Sequence, residues 1–325
     1  MTAPADNGER PVVAILRSLP DAGTDLLSGR CELRHGNRDP SAAELRELVA
    51  GAAAIVADVG VKVDAELLDA AGDGLAVVAN FAVGYDNIDI DECERRGIRV
   101  GNTPDVLTDA TAELAVGLTY AAARRFHEAE TELREGRWDG WQPDGFVGME
   151  LSGATFGVVG LGRIGRRYAE LVRPAAGRLL YSARSAKPDA ERELGAERAE
   201  LEDLLETSDF VSLHAPGGAA TAELIGAREI ALIGARGVLV NTARGSLIDP
   251  TALATALGEG RLGAAGLDVF PNEPAVPAEL LGAPRCVLLP HVGSATRTAR
   301  DAMAELVARN VLAVLDGEEP AAFVV

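Results

Sequence analysis

Short apolar runs alternate with helical patterns along this chain, and that alternation restricts the fold more than any other feature. In the first part of the sequence the apolar runs begin at Pro11, Cys31, Ala54 and Leu75, and a short last one ends at Val100. Runs of this length fit buried strands, and the stretches between them have helical periodicity. Strands and helices that alternate at this spacing imply a mostly parallel, doubly wound sheet with helices on both faces.

The same rhythm resumes later in the chain. A second series runs from Ala154 to His291 and predicts six parallel strands, which is a full dinucleotide-binding domain in outline. Before it, residues 105–136 form one long Ala- and Leu-rich helical pattern, for which Thr108 or Asp109 is a suitable cap. The apolar content of that pattern predicts a helix that is buried or lies in an interface.

A final helix is predicted from about Ala295 to Leu315, beyond the second sheet, so it must return to the first domain or cover the second. We therefore predict an α/β fold with two doubly wound parallel-sheet domains. A Rossmann nucleotide-binding domain, residues 102–294, is inserted into a flavodoxin-like substrate domain formed by residues 1–101 and 295–325.

Charge and composition exclude several classes of protein. The chain has 50 acidic and 31 basic residues, a formal net charge of -19, which disfavours nucleic acids and anionic membranes as partners. No stretch approaches the ~20 unbroken apolar residues of a membrane span, so a cytoplasmic protein is expected. Cys31, Cys93 and Cys286 are far apart and form no C-x-x-C pair, which predicts buried thiols and no metal site.

The strongest local motif is a glycine-rich turn between a strand and a helix. Gly160, Gly162 and Gly165 form G-x-G-x-x-G with Arg163 and Ile164, directly after an apolar strand. The first glycine permits the tight turn, the second lets a pyrophosphate approach the backbone, and the third allows close packing of helix against strand. In this context the motif predicts binding of a nicotinamide dinucleotide.

The end of the next strand indicates which dinucleotide is preferred. NAD-binding domains place an acidic residue here to bind the ribose hydroxyls, whereas this chain has Ala183, Arg184, Ser185 and Lys187 and no carboxylate. Arg184 and Ser185 can donate hydrogen bonds to a 2′-phosphate, which favours NADPH over NADH. The alternative is that Arg184 is a solvated loop arginine and that the choice of cofactor is loose.

Three side chains at successive strand ends of the second domain form a candidate catalytic group. His291 can donate a proton to a carbonyl oxygen as hydride arrives, because its reference pKa is near neutral. Glu273 is a suitable carboxylate partner for the imidazole, and Arg244 can bind a substrate carboxylate and carbonyl. Taken singly, each has an ordinary interpretation: a structural histidine, a surface charge and a loop arginine. Together, in this order, they predict catalysis.

Two further positions fit the same chemistry. Asp268 ends a strand and can accept hydrogen bonds from the nicotinamide carboxamide, although helix capping is an alternative role. In the first domain, Val83 and Gly84 follow a strand, where small residues expose backbone N–H groups that can bind a carboxylate. A tight glycine turn is the alternative there.

At these residues the chain resembles the D-isomer-specific 2-hydroxyacid dehydrogenases, and among them the glyoxylate/hydroxypyruvate reductase branch. The resemblance covers nearly everything from Ala54 onward, through NFAVGYDNID, RVGNTPDVLTDATAELA, GVVGLGRIG, YSARS, SDFVSLHAP, NTARGSLID and PHVGSAT. It assigns catalysis to Arg244, Glu273 and His291, with substrate also bound by Val83 and Gly84. The cofactor contacts that the resemblance implies are Thr108, Gly160, Gly162, Arg163, Ile164, Gly165, Ala183, Arg184, Ser185, His214, Ala215, Pro216, Thr221, Thr242, Ala243, Arg244, Asp268, His291 and Gly293.

The resemblance implies NADPH-favouring reduction of a small 2-oxo acid, glyoxylate or hydroxypyruvate, to the D-2-hydroxy acid by a cytoplasmic homodimer. Phosphoglycerate, phosphite and D-lactate dehydrogenases of the same family remain alternatives. A cofactor-sensing binding protein similar to the C-terminal-binding-protein corepressors is an alternative from another class. One departure bears on substrate choice: Asp58 stands in the loop Asp58-Val59-Gly60, where the family's substrate pocket begins with an apolar residue.

Overall fold

A computed structural model describes residues 10–325 of the chain. Its strands are β1 (Val12–Ile15), β2 (Glu32–His35), β3 (Ala54–Ala57), β4 (Val77–Asn80), β5 (Arg99–Gly101), β6 (Thr155–Val159), β7 (Arg178–Ser182), β8 (Glu197–Arg198), β9 (Phe210–Leu213), β10 (Val238–Asn241), β11 (Ala264–Leu267) and β12 (Cys286–Leu288). Its α-helices are α1 (Asp21–Ser28), α2 (Ala42–Val49), α3 (Ala65–Ala71), α4 (Ile90–Arg96), α5 (Thr108–Ala123), α6 (Phe126–Arg134), α7 (Arg163–Val172), α8 (Pro188–Leu194), α9 (Leu201–Thr207), α10 (Ala227–Ile233), α11 (Pro250–Gly258), α12 (Ala278–Leu281) and α13 (Arg297–Leu315).

The chain forms two compact units. The first ends at Leu107 and is completed by Ala295–Val325, and the second comprises Thr108–Ser294. The first boundary lies a few residues after the predicted one, because Thr103 N donates to Ala82 O over 2.9 Å and keeps this segment in the first unit. That the first unit binds substrate and the second binds cofactor remains a prediction.

The first unit has a five-stranded sheet in the order β2-β1-β3-β4-β5, with all pairs parallel. This is the flavodoxin-like order. The central strands β3 and β4 are buried throughout, which explains their unbroken apolar sequences. The final helix α13 packs against α1, where a Cβ on Gly23 would lie only 2.7 Å from Ala304 O. Glycine at that position permits the close crossing of the two helices.

The second unit has a seven-stranded parallel sheet in the order β12-β11-β10-β9-β6-β7-β8. It contains the Rossmann arrangement and confirms the predicted class of two doubly wound sheets. The prediction of six strands was wrong by one, because β8 adds a short strand beside β7. This strand has only two residues, Glu197 and Arg198, and both are exposed, so no apolar pattern in the sequence predicts it.

The single long helix predicted before this sheet was also wrong, since two helices occupy the region. α5 ends at Ala123, and Arg125, with φ of 56°, turns the backbone into the left-handed region before α6. Thr108 is the first residue of α5 and therefore is not its cap. The buried face of α5 packs on α7, β10 and β11, as its apolar content suggested. Within residues 10–325, no helix has the length and apolar character needed to cross a membrane.

Candidate active site

The glycine-rich turn between β6 and α7 has the close contacts that its sequence demands. A Cβ on Gly160, where φ is 92°, would lie 2.6 Å from Ala215 N. A Cβ on Gly165 would lie 2.1 Å from Gly160 O, so α7 can approach the turn only with glycine there. The two glycines pack the turn against the end of β9, at the point where the strand order of this sheet reverses.

Gly162 differs from these two glycines because space is open around it. Its φ is -81°, which any residue adopts, and no described atom outside its chain neighbours lies within 4 Å of the position a Cβ would take. It precedes α7, whose first residues are Arg163 and Ile164, and gives the helix no side-chain cap. The first turn of this ten-residue helix therefore presents backbone N–H groups beside open space, which fits the pyrophosphate of a dinucleotide.

The loop after β7 contains the predicted ribose-side residues. Ala183 is partly buried, and Arg184 and Ser185 are exposed. The buried Tyr181 anchors the far end of the loop, because its hydroxyl accepts from Lys187 N over 2.8 Å and donates to Glu191. The loop therefore has a defined path although Arg184 and Ser185 face solvent.

The loop after β9 begins with the predicted cofactor residues His214, Ala215 and Pro216. Burial lowers the pKa of His214 to about 3, so this imidazole is neutral at physiological pH. Its Nε2 lies 2.9 Å from Ser212 Oγ. Farther along, Thr221 Oγ1 donates to Pro216 O over 2.7 Å and closes the loop on itself.

A buried polar cluster next to His214 consists of Tyr168, Thr119 and Ser212. The Tyr168 ring lies against the imidazole, with centroids 5.1 Å apart, and the Tyr168 hydroxyl is 3.0 Å from Thr119 Oγ1. Burial raises the pKa of Tyr168 to about 12, although the hydrogen bonds of Thr119 and Ser212 act in the opposite direction. Tyr168 thus stays a neutral phenol. The sequence reasoning assigned no role to these three supporting residues.

The loop after β10 holds Arg244 through a buried asparagine that the sequence reasoning also missed. Asn241 Nδ2 donates to Arg244 O over 2.8 Å, and Asn241 Oδ1 accepts from Ala243 N over 3.0 Å. The Arg244 guanidinium donates to Ala243 O over 2.8 Å. Beside it, the buried Thr242 Oγ1 has no hydrogen-bond partner among residues 10–325.

Gly245 brings this loop against the next one. A Cβ on Gly245 would lie 1.9 Å from the carbonyl carbon of Phe270, which follows β11. Only glycine permits that approach between two backbone segments. It places Arg244 near the loop that carries Glu273, and the Arg244 charge accordingly contributes to lowering the pKa of Glu273.

Glu273 and His291, which are far apart in sequence, are in direct contact. Glu273 Oε2 lies 2.6 Å from His291 Nδ1, and Glu273 Oε1 accepts from Phe270 N over 2.9 Å. Burial acts to raise the pKa of Glu273, but the hydrogen bonds from His291 and Phe270 and the nearby positive charges outweigh it, and the pKa is lowered. The carboxylate is therefore ionised at neutral pH and can fix the orientation of the imidazole.

Asp268 fixes the backbone of the loop that contains His291. The side chain is fully buried, and its two oxygens accept from Val292 N and Gly293 N, each over 2.7 Å. Asp268 O also accepts from His291 N over 2.8 Å, in a turn where the φ of His291 is 54°. Burial raises the pKa of Asp268, against the influence of these backbone bonds. The structure shows Asp268 organising the loop, a role that the sequence reasoning did not consider.

The first unit places Val83 and Gly84 just after β4, where two asparagine amides fix their backbone. Asn102 Nδ2 donates to Val83 O over 2.7 Å, and Asn80 Nδ2 donates to Gly84 O over 2.8 Å. Among residues 10–325, the N–H groups of Val83 and Gly84 donate to no protein atom. Their role as donors to a substrate carboxylate stays a prediction.

Asp58 lies at the point where the strand order of the first sheet reverses. Its Oδ1 accepts from Gly60 N over 2.8 Å and lies 3.4 Å from Arg17 Nη1. The Asn87 side chain donates to Asp58 O over 3.0 Å and lies 3.2 Å from Asn80 Nδ2, which links this loop to the one that carries Gly84. The acidic residue is therefore structurally accommodated by Arg17.

The described residues contain no cluster of three or more His, Cys, Asp or Glu side chains that could hold a metal ion. Cys31, Cys93 and Cys286 are free and buried, so the prediction of buried thiols is confirmed. Burial raises the pKa of Cys286 to about 12, so this thiol is not a nucleophile at neutral pH.

Comparison with known proteins identifies the family. The sequence profile described as D-isomer specific 2-hydroxyacid dehydrogenase, NAD binding domain, matches residues 116–293. A glyoxylate reductase of Thermococcus litoralis is 45% identical over 317 residues, which cover 96% of this chain and 96% of the relative.

Two solved structures are similar over almost their full lengths. A protein of Thermus thermophilus has a TM-score of 0.90 and 41% identity and covers 97% of this chain and 100% of its own. An NADPH-dependent glyoxylate/hydroxypyruvate reductase of Sinorhizobium meliloti, in complex with NADP and malonate, has a TM-score of 0.85 and 36% identity and covers 97% of each chain. The chain therefore belongs to the D-isomer specific 2-hydroxyacid dehydrogenase family and is a nicotinamide-dependent oxidoreductase.

Proposed function

We propose that this protein reduces glyoxylate or hydroxypyruvate to the D-2-hydroxy acid. The observation that carries the proposal is the 2.6 Å contact between Glu273 and His291, with Arg244 on the neighbouring loop. A base paired to a carboxylate, next to a fixed guanidinium, suits reduction of a carbonyl that stands beside a carboxylate. The reductases among its relatives support this choice of substrate.

The proton transfer follows from the geometry of the imidazole. The ionised Glu273 can only accept hydrogen bonds, so His291 Nδ1 must be protonated and donate to it. Nε2 is then the nitrogen that exchanges a proton with the substrate. When bound, the reduced nicotinamide supplies a hydride to C2 of the oxo acid. His291 Nε2 then donates a proton to the carbonyl oxygen, which becomes the new hydroxyl group, and it takes that proton back in the oxidative direction.

Other residues bind and orient the reactants. Arg244 can form charge-assisted hydrogen bonds to the substrate carboxylate and carbonyl. In the first unit, the N–H groups of Val83 and Gly84 are the proposed donors to an anion. Asp268 positions His291, and its remaining lone pairs can accept from the nicotinamide carboxamide. We assign the dinucleotide to the turn of Gly160, Gly162 and Gly165 and to the other cofactor contacts predicted above.

We also propose that NADPH is preferred over NADH. Arg184 and Ser185 lie at the end of β7, where they can donate hydrogen bonds to a 2′-phosphate. The loop from Ser182 to Lys187 contains no carboxylate that would repel this group. The Sinorhizobium meliloti neighbour, solved with NADP, supports the preference.

The second unit carries apolar side chains that favour a homodimer. Phe126, Leu133, Trp138, Trp141 and Val147 are exposed in α6 and the segment after it, and Trp141 is 81% exposed. These side chains belong to one continuous segment of the chain, and exposed apolar surface of this kind indicates an interaction site. We propose that they contact a second copy of the chain and that the enzyme works in the cytoplasm, where it can draw on reduced cofactor.

The proposed reaction is tested by following the absorbance of NADPH and NADH with glyoxylate, hydroxypyruvate, pyruvate and phosphohydroxypyruvate, and with phosphite in the oxidative direction. We expect NADPH oxidation with glyoxylate or hydroxypyruvate. The substitution His291→Ala should lower kcat by at least about 100-fold with NADPH binding intact, because it removes the proton donor. NADPH binding without turnover of any compound would favour a sensor, and an active His291→Ala enzyme would remove His291 from the mechanism.

A further inference from the structure

Three basic side chains around the loop after β7 have no acidic partner. Arg184, Lys187 and Arg198 form no ion pair with any carboxylate of residues 10–325. This is unexpected in a chain with 50 acidic and 31 basic residues, where most surface arginines are paired. The nearest acids are engaged elsewhere: Glu197 pairs with Arg178, and Glu191 accepts from Tyr181. Unneutralised cations of this kind suit an anionic ligand.

Arg198 reaches this loop from the strand that was not predicted. It lies on β8, and its Nη2 donates to Ala183 O over 3.2 Å and approaches Arg184 O at 3.5 Å. Its guanidinium is thus held against the backbone of the two residues at the proposed ribose end of the cofactor. An arginine is suited to this position because its planar guanidinium has five N–H donors. Some of them can bind the two backbone carbonyl groups while others remain for a phosphate.

The strand that carries Arg198 is itself held firmly. Glu197 accepts from Arg178 Nη2 over 2.6 Å and from Arg178 Nε over 3.1 Å, and Ala199 N donates to Tyr181 O over 2.9 Å. These bonds fix β8 to β7 on both sides of Arg198. The same Tyr181 fixes Lys187 through its hydroxyl, so both ends of the loop are tied to one strand.

We propose that Arg198 determines cofactor specificity by holding the Ala183–Arg184 backbone in place and by adding positive charge for the 2′-phosphate of NADPH. The inference rests on the proposed preference for NADPH and extends it from the loop itself to β8. NADH lacks the phosphate, so it gains nothing from this charge. Arg198 therefore contributes to the difference in affinity between the two cofactors and not to the chemical step.

The experiment measures the dissociation constants of NADPH and NADH by calorimetry, together with kcat at saturating cofactor, for the full-length enzyme. Arg198→Met, which keeps the length of the stem and removes the charge, should weaken NADPH binding by about tenfold and NADH binding by less than about twofold. Arg198→Lys keeps the charge but cannot span the carbonyls, so we expect an intermediate loss of about threefold for NADPH. The control is Arg236→Met, an exposed arginine in a turn of the same unit, which should leave both constants unchanged.

A parallel Arg184→Met variant separates this inference from the proposed function. If Arg184→Met selectively weakens NADPH while Arg198→Met weakens both cofactors equally or neither, the role of Arg198 is refuted and the proposed preference stands. If neither variant affects NADPH selectively, both are refuted. A selective loss in both variants, with kcat unchanged in Arg198→Met, supports the inference.

Discussion

Replacing Gly245 with alanine tests directly whether the contact between the Arg244 loop and the Phe270 loop organises the site. The new Cβ would lie 1.9 Å from the carbonyl carbon of Phe270, 2.3 Å from its oxygen and 2.4 Å from its Cα. All three are backbone atoms, so no side-chain rotation relieves the overlap. To reach an ordinary contact of 3.4 Å, the two loops must separate by about 1.5 Å.

That displacement has two measurable consequences. Overpacking of a close contact costs about 1–3 kcal/mol, and in a domain of this size each kcal/mol lowers Tm by about 2–4 °C, so we expect a loss of about 5 °C. Moving Arg244 by about 1 Å relative to Glu273 and His291 should reduce kcat/KM by about 100-fold. Thermal unfolding and the rate of NADPH oxidation with glyoxylate measure the two effects.

Gly258→Ala is the matched control. Gly258 is the last residue of α11, and no described atom outside its own helix and chain neighbours lies within 4 Å of its Cβ position. We expect unchanged kcat/KM and an equal or slightly higher Tm, because alanine is favoured over glycine in a helix. If Gly245→Ala keeps the wild-type Tm and kcat/KM, then the close approach of the two loops does not position Arg244.

Three further predictions concern the cofactor turn, the catalytic carboxylate and the assembly. Gly162→Ala should change Tm by less than about 2 °C, because its Cβ meets no described atom, but it should weaken NADPH binding by at least about tenfold. Gly165→Ala places a Cβ 2.1 Å from Gly160 O and should lower Tm as well. Equal Tm losses in the two variants would contradict the assignment of Gly162 to the pyrophosphate. The pKa of Glu273 is lowered in the folded protein, so its ionisation stabilises the fold above the unfolded pKa of about 4.3, and this contribution is lost as the pH falls through the lower folded value. Glu273→Gln cannot titrate, so its Tm deficit relative to wild type should shrink between about pH 6 and pH 3; a constant deficit would show that the Glu273 pKa is not lowered. Light scattering should give twice the chain mass of 33.8 kDa, and Trp141→Glu should shift the enzyme toward the monomer, whereas a monomeric wild type would refute the homodimer.

The order of the elements could be predicted from sequence because buried strands of parallel sheets are almost entirely apolar. β3 and β4 follow this rule at every position, so their existence and class were evident. β8 has no such pattern, since it consists of Glu197 and Arg198 at an exposed edge and is held by the ion pair to Arg178. A strand stabilised by its side-chain partners cannot be recognised from local hydrophobicity.

The break between α5 and α6 escaped prediction for a related reason. Arg125 adopts a left-handed conformation without a glycine, proline or asparagine at that position, so no residue typical of helix ends precedes Phe126. Besides its local ion pair with Glu128, this turn has two contacts with residues farther along the chain. Arg125 lies 5.6 Å from the Phe146 ring, and Ala123 O accepts from Met149 N over 2.9 Å.

The contact between Glu273 and His291 could be predicted because both residues follow neighbouring strands of a parallel sheet, whose carboxyl ends lie on one side. The residues that hold the site were harder to recognise. Asn80 and Asn241 each end an otherwise apolar strand, VVAN and VLVN, and that shared pattern is the feature that identifies them. It was overlooked because an asparagine at a strand end also suits an ordinary turn.

The two asparagines have a consequence for redesign of the enzyme. Asn80 and Asn241 each bind the loop that follows their strand through the side-chain amide, donating to Gly84 O and to Arg244 O respectively. Because these bonds are made by the protein's own side chains, the shape of each loop does not depend on contacts with a ligand, and we expect association to lose little conformational entropy there. A library that varies Val83 or Ala243 while keeping both asparagines should therefore change which molecules bind without disturbing the scaffold that presents them.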